Sequence, residues 1–341
     1  ANLAVDQKLP WGLIGTAEFI YTKTINNMLY YNVNVDPDPV GNLTGADTRP
    51  LYDNTKIDGD YARVMLGTNT SEGYTWTATA QLQKPFDNGL TASLAYTYGV
   101  AKAMNDATSS QNSSQWRYME NVNGLNNLDL SYSDFDLGHR VTGYVTYSKD
   151  FINHLRSSIT LYYNGQSGRR FSYTYDGYVN GNNEYDQADL IYIPETQSDI
   201  VFADAATANQ QWQDLDAFIK NDDYLSKHRG EYAERNGGRA PFSHVFDLRF
   251  AQDLFVNVAD RNQTLQFTFN VFNLMNMINS DWGRIYYVPY QNYTLMSFEG
   301  FDTDGTTPTF EFTDTDEPWS IDDAGITSSR WQAQIGIRYI F

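Results

Sequence analysis

The sequence contains no cysteine, few basic residues and no long apolar run. Without cysteine, the chain can form neither disulfides nor thiolate-metal sites. No stretch approaches the roughly 18 consecutive apolar residues that a membrane-spanning helix requires. The 23 Lys and Arg are outnumbered by 42 Asp and Glu, and the net charge is −19. This balance argues against nucleic acid as a partner, because phosphate binding needs clustered cations.

Motifs for catalysis and cofactor binding are also missing. No two histidines have the spacing of metal ligands, and the four are His139, His154, His228 and His244. Gly165-Gln166-Ser167-Gly168 does not match a nucleophile elbow and lies on a predicted strand. No phosphate-binding loop or dinucleotide motif is present. The sequence therefore predicts a protein that is not an enzyme.

What the sequence does contain is 15% aromatic residues and many segments in which apolar and polar residues alternate. In 331–341, the odd positions are Trp, Ala, Ile, Ile, Tyr and Phe, whereas most even positions are polar. A strand of about ten residues with one apolar face fits a tilted strand crossing a bilayer. The mean hydropathy of −0.53 is compatible with such strands, because only alternate residues meet lipid. An edge strand of a soluble sandwich is the alternative for any one segment.

The alternation and the turn signals predict about eight strands, which alternate between short and long connections. The strands are 12–34, 60–86, 90–103, 134–149, 155–175, 242–256, 264–277 and 328–341. The short connections are 87–89, 150–154 and 257–263, and the long ones are 35–59, 104–133, 176–241 and 278–327. This asymmetry is typical of bacterial outer-membrane barrels. An even number of strands places both chain ends on the short-turn side. The poorer alternation of 12–34 indicates a register slip or bulge near Asn26 and Asn27.

The predicted fold is therefore all-β, an antiparallel transmembrane β-barrel segment located in the bacterial outer membrane, with an open wall. Its apolar face should meet lipid, with the following residues pointing outward: Trp76, Tyr96, Tyr98, Val145, Leu161, Leu248, Phe267, Ile335 and Ile337. The polar face should line the lumen, with five charged residues pointing inward: Arg140, Arg156, Asp247, Arg249 and Arg338. An ion-pair network that stiffens the wall and contact with a substrate are equally good interpretations of those five.

The long loops hold most of the acidic residues and are the predicted binding surfaces. Segment 210–224 has apolar residues near helical spacing and predicts a short amphipathic helix packed onto its own loop. The aromatic candidates for ligand contact are Trp212, Tyr224, Trp282, Tyr286 and Tyr287. Oxygen-rich clusters make Ca²⁺ a possible cofactor, with Asp302, Asp304, Asp186 and Asp189 as candidate ligands. A further acidic cluster contains Asp314, Asp316 and Glu317. A solvated acidic loop is the simpler interpretation of each cluster.

Several motifs resemble those of one family. They are 130–141 (LSYSDFDLGHRV), 224–226 with 229–230, 235–241 (RNGGRAP), 246–253 (FDLRFAQD) and 269–276 (FNVFNLMN) followed by Asn279 and 282–283. Together they resemble the TonB-dependent outer-membrane receptors of Bacteroidetes, in the Oar-type branch with a carboxypeptidase-regulatory-like domain. The aromatic end of the chain, with Tyr339 and Phe341, resembles the insertion signal that the barrel-assembly machinery reads in outer-membrane proteins.

The resemblance implies a 22-stranded barrel, an N-terminal plug and energy coupling through TonB. This chain has about eight predicted strands and neither plug nor TonB box, so residues 1–341 resemble the C-terminal part of such a receptor, with 176–241 and 278–327 as outer loops. Its partners would be membrane lipid, the plug and further strands, TonB through the plug, and the assembly machinery. Two alternatives remain open: a surface adhesin or structural barrel without transport, and a closed eight-stranded barrel of the OmpA type.

Overall fold

In the computed structural model, the described residues are 1–53, 55–152, 154–182, 184–258, 261–312, 317–323 and 329–341. Nine strands form one sheet, which we call the wall. They are Asn2–Lys8, Ile14–Lys23, Gly73–Pro85, Leu90–Ala103, Gly138–Ile152, Leu155–Gln166, Ser243–Val258, Arg261–Phe272 and Gln332–Ile340. Each strand pairs antiparallel with the next wall strand along the chain. The predicted meander, with its short turns at one end, is confirmed.

The register of the wall places most of the large apolar residues of its strands on one face. Across the sheet, Gly143 pairs with Tyr163, Tyr163 with Phe246, and Leu161 with Leu248. The last two wall strands continue this pattern, because Phe267 pairs with Ile337 and Phe269 with Ile335. Since side chains alternate between faces along a strand, all nine residues predicted to face lipid lie on the same side. We call this side the outward face and the opposite side the inward face.

The wall has one strand more than predicted. Residues Asn2–Lys8 pair with Ile14–Lys23 through a tight turn in which Trp11 and Gly12 have φ of 61° and 73°. Seven residues with only Leu3 and Val5 as large apolar side chains give a weak pattern, which is why this strand was missed. The prediction that both chain ends lie on the short-turn side is wrong for the start. With nine strands, Asn2 lies toward the long-loop end and Phe341 at the short-turn end.

Two predicted strands, 12–34 and 60–86, are each broken in the structure. The wall ladder between them ends at Lys23 and Tyr74, and a separate two-stranded ladder continues it with Asn27–Asn32 and Met65–Thr70. The interruption at residues 24–26 confirms the irregularity predicted near Asn26. The second ladder projects the hairpin beyond the wall.

Two other predicted strands, 155–175 and 264–277, are too long. The first leaves the wall after Gln166, and Arg170–Asp176 joins a different sheet. The second ends at Phe272, because Asn273 adopts a left-handed φ of 53° that a strand cannot contain. A short helix, Leu274–Ile278, follows it.

The segments between wall strands at the long-loop end pack together into what we call the loop cap, the described residues of 27–70, 104–137, 167–242 and 273–323. Its main sheet has five short strands, in the order Val201–Phe202, Pro308–Glu311, Asn292–Phe301, Arg170–Asp176 and Gly238–Arg239. Two of these pairings are parallel, in contrast to the wall. Its smaller ladders are Gly41–Asn42 with Pro50–Leu51 and Tyr286–Tyr287 with Ser320–Ile321. Ser131–Tyr132 extends the wall strand Leu90–Ala103.

The loop cap has its own hydrophobic core. Its helices are Asn112–Arg117, Ala208–Asn221 and the short Leu274–Ile278, with single 3₁₀ turns at Gln197–Asp199, Leu225–Lys227 and Pro289–Gln291. The helix Ala208–Asn221 buries Leu215 and Ile219 completely against Phe171, Tyr173 and other apolar residues of the five-stranded sheet. The prediction of an amphipathic helix packed on its own loop is confirmed. Within the described residues, the helices are too short or too polar to cross a membrane.

Candidate functional site: the two faces of the wall and its junction with the loop cap

The outward face carries charge of one sign only. Among the wall side chains that the structure describes, the charged residues whose register position is outward are four lysines. They are Lys23 and Lys102 toward the long-loop end, and Lys84 and Lys149 toward the short-turn end. Between these two levels the face is uncharged. Lysines at the edges of an apolar band can extend their ammonium groups to the lipid phosphates, which is the distribution expected of a membrane-embedded surface.

Aromatic side chains flank this band. Near the long-loop end, Phe19, Trp76, Tyr98 and His139 form a continuous row, with ring centroids 6.1, 5.4 and 4.7 Å apart. The hydroxyl of Tyr96 lies 2.7 Å from Nδ1 of His139. A hydroxyl–imidazole pair of the same kind, 2.8 Å apart, joins Tyr163 and His244. At the short-turn end, the rings of Tyr339 and Phe341 are stacked at 5.8 Å. Aromatic girdles at both interfaces are a property of transmembrane barrels.

The inward face is lined by hydroxyl, amide and charged groups that bind one another across strands. Thr79 and Thr97, and likewise Thr146 and Thr160, are 2.9 Å apart through their hydroxyls. Gln266 donates to Asp253 over 2.7 Å. These ladders satisfy the polar groups of the wall without filling the space beside it, so the face is suited to a wet lumen.

The five charged residues predicted to face inward lie on this face, but they do not form one network. Arg140 donates to Asn164 over 3.1 Å, and Asp247 accepts the amide of Asn273 over 2.8 Å. Arg156 forms an exposed ion pair with Asp150, 2.7 Å long. In the described part of the chain, Arg249 and Arg338 pair with no carboxylate. Among the described residues, one of these five charged groups thus forms an ion pair, while the guanidinium groups of Arg249 and Arg338 have no carboxylate partner.

The junction between wall and loop cap is built around the carboxylate of Asp136. This nearly buried side chain accepts the amide of Ala101 over 2.7 Å, Nε of Arg170 over 2.6 Å, and an N–H of Arg239. Gly138 has φ +64°, and a Cβ there would lie 2.8 Å from the guanidinium of Arg239. One carboxylate thus ties a wall strand to two cap strands.

The neighbouring residues complete the junction. The buried Asn236, at φ 59°, donates to the carbonyl of Tyr132 over 3.0 Å and to Asp134 over 2.8 Å. Next to it, a Cβ at Gly237 would lie 2.3 Å from the ring of Tyr224. The segments 130–141, 224–230 and 235–241, which are far apart in sequence, therefore meet at one place. We call this junction the anchor. Its close packing explains the residue pattern of the three segments.

Two polar cavities adjoin the junction. Their volumes are about 200 and 440 Å³, and Glu120 and Arg235 line both of them. Arg235 is buried and donates to the carbonyls of Ala103 and Met104 over 2.6 and 3.0 Å. Burial raises the pKa of Glu120 to about 7, against partial compensation by Arg235. Burial also raises the pKa of Asp134.

The aromatic residues predicted to contact a ligand do not converge. Trp212 packs on the cap core, and the hydroxyl of Tyr224 accepts the amide N–H of Glu234 over 2.7 Å. Tyr286 and Tyr287 lie in the small ladder with 320–321, and Trp282 is exposed near the end of the wall strand 261–272. The sequence missed Glu120 and Arg235, because nothing in the local pattern indicates that a loop glutamate will be enclosed by a distant arginine.

The candidate calcium ligands have protein partners. Asp304 accepts the hydroxyl of Thr307 over 2.6 Å and the amides of Thr307 and Thr306 over 2.8 and 2.9 Å, and these hydrogen bonds lower its pKa to about 2. The buried Asp189 pairs with Arg49 over 3.3 Å and accepts the amide of Val179 over 2.9 Å. Asp302 and Asp186 are exposed. Within the described ranges, no three acidic or histidine side chains are grouped around a possible metal position. Asp314 and Asp316 lie outside the described residues.

An antiparallel wall with a lipid-suited face, a polar face and a cap over its long-loop end defines a transmembrane β-barrel protein. The model of one family, the outer membrane beta barrel domain, matches residues 1–281, and the chain belongs to this family. It is thus a protein of the bacterial outer membrane. Comparisons with curated proteins and with solved structures give no match.

Proposed function

We propose that this chain supplies barrel wall and ligand-capturing outer loops to a TonB-dependent importer of the outer membrane. The observation that carries the proposal is the loop cap, which has its own core and is anchored to the wall through Asp136. Loops that only join strands do not need such a core, whereas loops that hold binding groups in place do. Three of the motif segments that resemble the receptors of Bacteroidetes, 130–141, 224–230 and 235–241, meet at this anchor.

The polar cavity beside Glu120 and Arg235 is the place in the cap that best suits a captured solute. It combines a buried cation with the carboxylates of Glu120, Asp106 and Asp134. A cavity with both hydrogen-bond donors and acceptors fits a polar ligand such as a peptide or a glycan. From there, Arg249 and Arg338 on the inward face would offer the next contacts along the wall.

The strand count supports a barrel larger than nine strands. The strands Asn2–Lys8 and Gln332–Ile340 are the two edges of the wall, and among the described residues they pair only with their inner neighbours. Both run from the long-loop end toward the short-turn end, so a direct pairing would be parallel. Bacterial single-chain barrels are antiparallel with an even number of strands. Unpaired edges in lipid leave backbone groups unsatisfied. We therefore propose that further strands complete the barrel at both edges and that a plug fills it.

The hydrogen bonds of the histidines are consistent with a purely binding role for the protein. His139 and His244 bind tyrosine hydroxyls in the wall, and His228 donates to the carbonyl of Tyr224 over 2.8 Å. We propose that the protein is not an enzyme, and that its partners are lipid, the plug, TonB through the plug, and the barrel-assembly machinery.

The test uses cells that carry the complete receptor and labelled pools of oligopeptides and oligosaccharides. Import should accumulate label inside the outer membrane and stop when a protonophore collapses the inner-membrane gradient. Deletion of 205–235 or 300–318 should lower uptake while the barrel keeps its heat-modified gel mobility. Label that binds equally well without the gradient, and never enters, would instead support the adhesin alternative.

A further inference from the structure

The outward face contains an apolar groove of about 550 Å³ that extends from Lys84 and Phe86, near the short turns, to Tyr163 and Phe246, toward the long-loop end. Its floor lies over two small residues, Ala92 and Gly143, whose cross-strand partners are Val145 and Leu94. The larger side chains of Leu94 and Tyr163 stand at its sides. The volume lies within the range of about 300–1,000 Å³ that ligand pockets occupy. A depression of this size on a lipid-facing surface is filled by hydrocarbon in the membrane.

A single cation lies at the short-turn end of this groove. Lys84 lines the groove and pairs in register with Ala92. Its ammonium lies 4.6 Å above the ring of Phe86, at the turn that follows the strand. The register places no carboxylate on the outward face among the described wall residues, so nothing on this face competes with an anion for Lys84.

We infer that the groove is a binding site for one phospholipid of the periplasmic leaflet. One acyl chain lies over Ala92 and Gly143, and the phosphate binds the ammonium of Lys84. The leaflet follows from the position of Lys84, because short turns face the periplasm in outer-membrane barrels. The class of lipid follows from the charge, since an anionic headgroup is the complement of a lysine beside an apolar groove. The inference depends on the membrane face of the wall and not on the import proposed above.

The test measures binding of phosphatidylglycerol to the complete protein by native mass spectrometry after delipidation in detergent. Ala92→Leu fills the groove, and Lys84→Gln removes the cation without changing the length of the side chain greatly. Each variant should raise the dissociation constant of the first bound lipid by about fivefold or more. Raising the salt concentration should weaken binding to the wild type more than to Lys84→Gln.

Two variants serve as matched controls. Ala80→Leu adds the same bulk at an outward position outside the groove, and Lys149→Gln removes a lysine of the same face and the same end. Both should bind the first lipid as the wild type does. All variants must show wild-type heat-modified mobility, and Lys84→Gln makes the smallest change to packing. Wild-type-like affinity in both groove variants, or equal loss in the controls, would overturn the site.

Discussion

At the scale of the residue, the wall is specified by which side chains stand at alternate positions. The same net charge of −19 that excludes nucleic acid is distributed so that no described outward position is acidic. The orientation of the regularly alternating strands was predictable, because a slip of one residue would place Thr, Gln and Arg in lipid. The partner of Asp136 was not, since ion pairs between segments far apart in sequence leave no local pattern.

Ile335→Arg tests the orientation of the last wall strand. Ile335 is 80% exposed on the outward face, and arginine there should cost about 2–4 kcal/mol of unfolding free energy if the position lies near the midplane. The adjacent Gln334→Arg is the control, because its side chain faces inward beside Asn270. Urea titration of the folded band in lipid vesicles measures both. Equal costs for the two variants would contradict the orientation.

Asp136→Ala tests the anchor between wall and loop cap. Removal of the carboxylate leaves Arg170 and Arg239 without their shared partner in a largely buried site, at a cost of about 3–5 kcal/mol. Asp150→Ala is the control, because its ion pair with Arg156 is exposed to solvent and should contribute little to stability. Unfolding of the loop cap, monitored by tryptophan fluorescence, should distinguish the two variants. A loss no larger than that of the control would show that the anchor lies elsewhere.

Glu120 gives the cap a pH dependence. Burial raises its pKa in the folded state to about 7 from the ordinary value of about 4.5, so the folded cap binds the proton more tightly than the unfolded chain does. Local stability should therefore fall as the pH rises from about 4.5 through 7. Hydrogen exchange of residues 119–125, corrected for intrinsic rates, measures this, and Glu120→Gln should abolish it. A pH slope that survives in the variant would assign the effect to another group.

At the scale of the element, the sequence predicted which strands exist better than where they end. Leu90–Ala103 has the predicted bounds, whereas the predicted strand 155–175 extends past the wall because its alternation continues into the cap sheet. A β pattern cannot tell which sheet a strand joins. The end of the strand Arg261–Phe272 depends on the left-handed Asn273, which a propensity for strands does not reveal.

Leu215→Ala tests whether the helix Ala208–Asn221 belongs to the cap core. Leu215 is fully buried, and its truncation should destabilise the cap by about 2–5 kcal/mol. The wall should be unaffected, because its strands are held by their own ladders. Limited proteolysis within 176–241 should accelerate while heat-modified mobility stays unchanged. Ala217→Gly, at an exposed position of the same helix, should cost only about 1 kcal/mol.

At the scale of the whole molecule, the wall has an apolar outward face and a polar inward face, and it has a short-turn end and a long-loop end. The sequence predicted this division from alternation and from loop length, both of which are local. It did not predict that the long connections would pack together into hydrophobic clusters, since their contacts join residues as distant as Thr44 and Thr306. The sequence also did not predict the first strand, Asn2–Lys8, which forms one edge of the wall.

The most direct test of the two-faced wall is accessibility of single cysteines, for which the cysteine-free chain provides a clean background. Val145→Cys and Ile337→Cys report the outward face, and Thr146→Cys and Gln334→Cys report the inward face. In reconstituted membranes, a water-soluble maleimide should label only the inward pair, and a lipid-borne quencher should reach only fluorophores at the outward pair. Fast aqueous labelling of Val145→Cys and Ile337→Cys, with protection of the other two, would contradict the transmembrane wall.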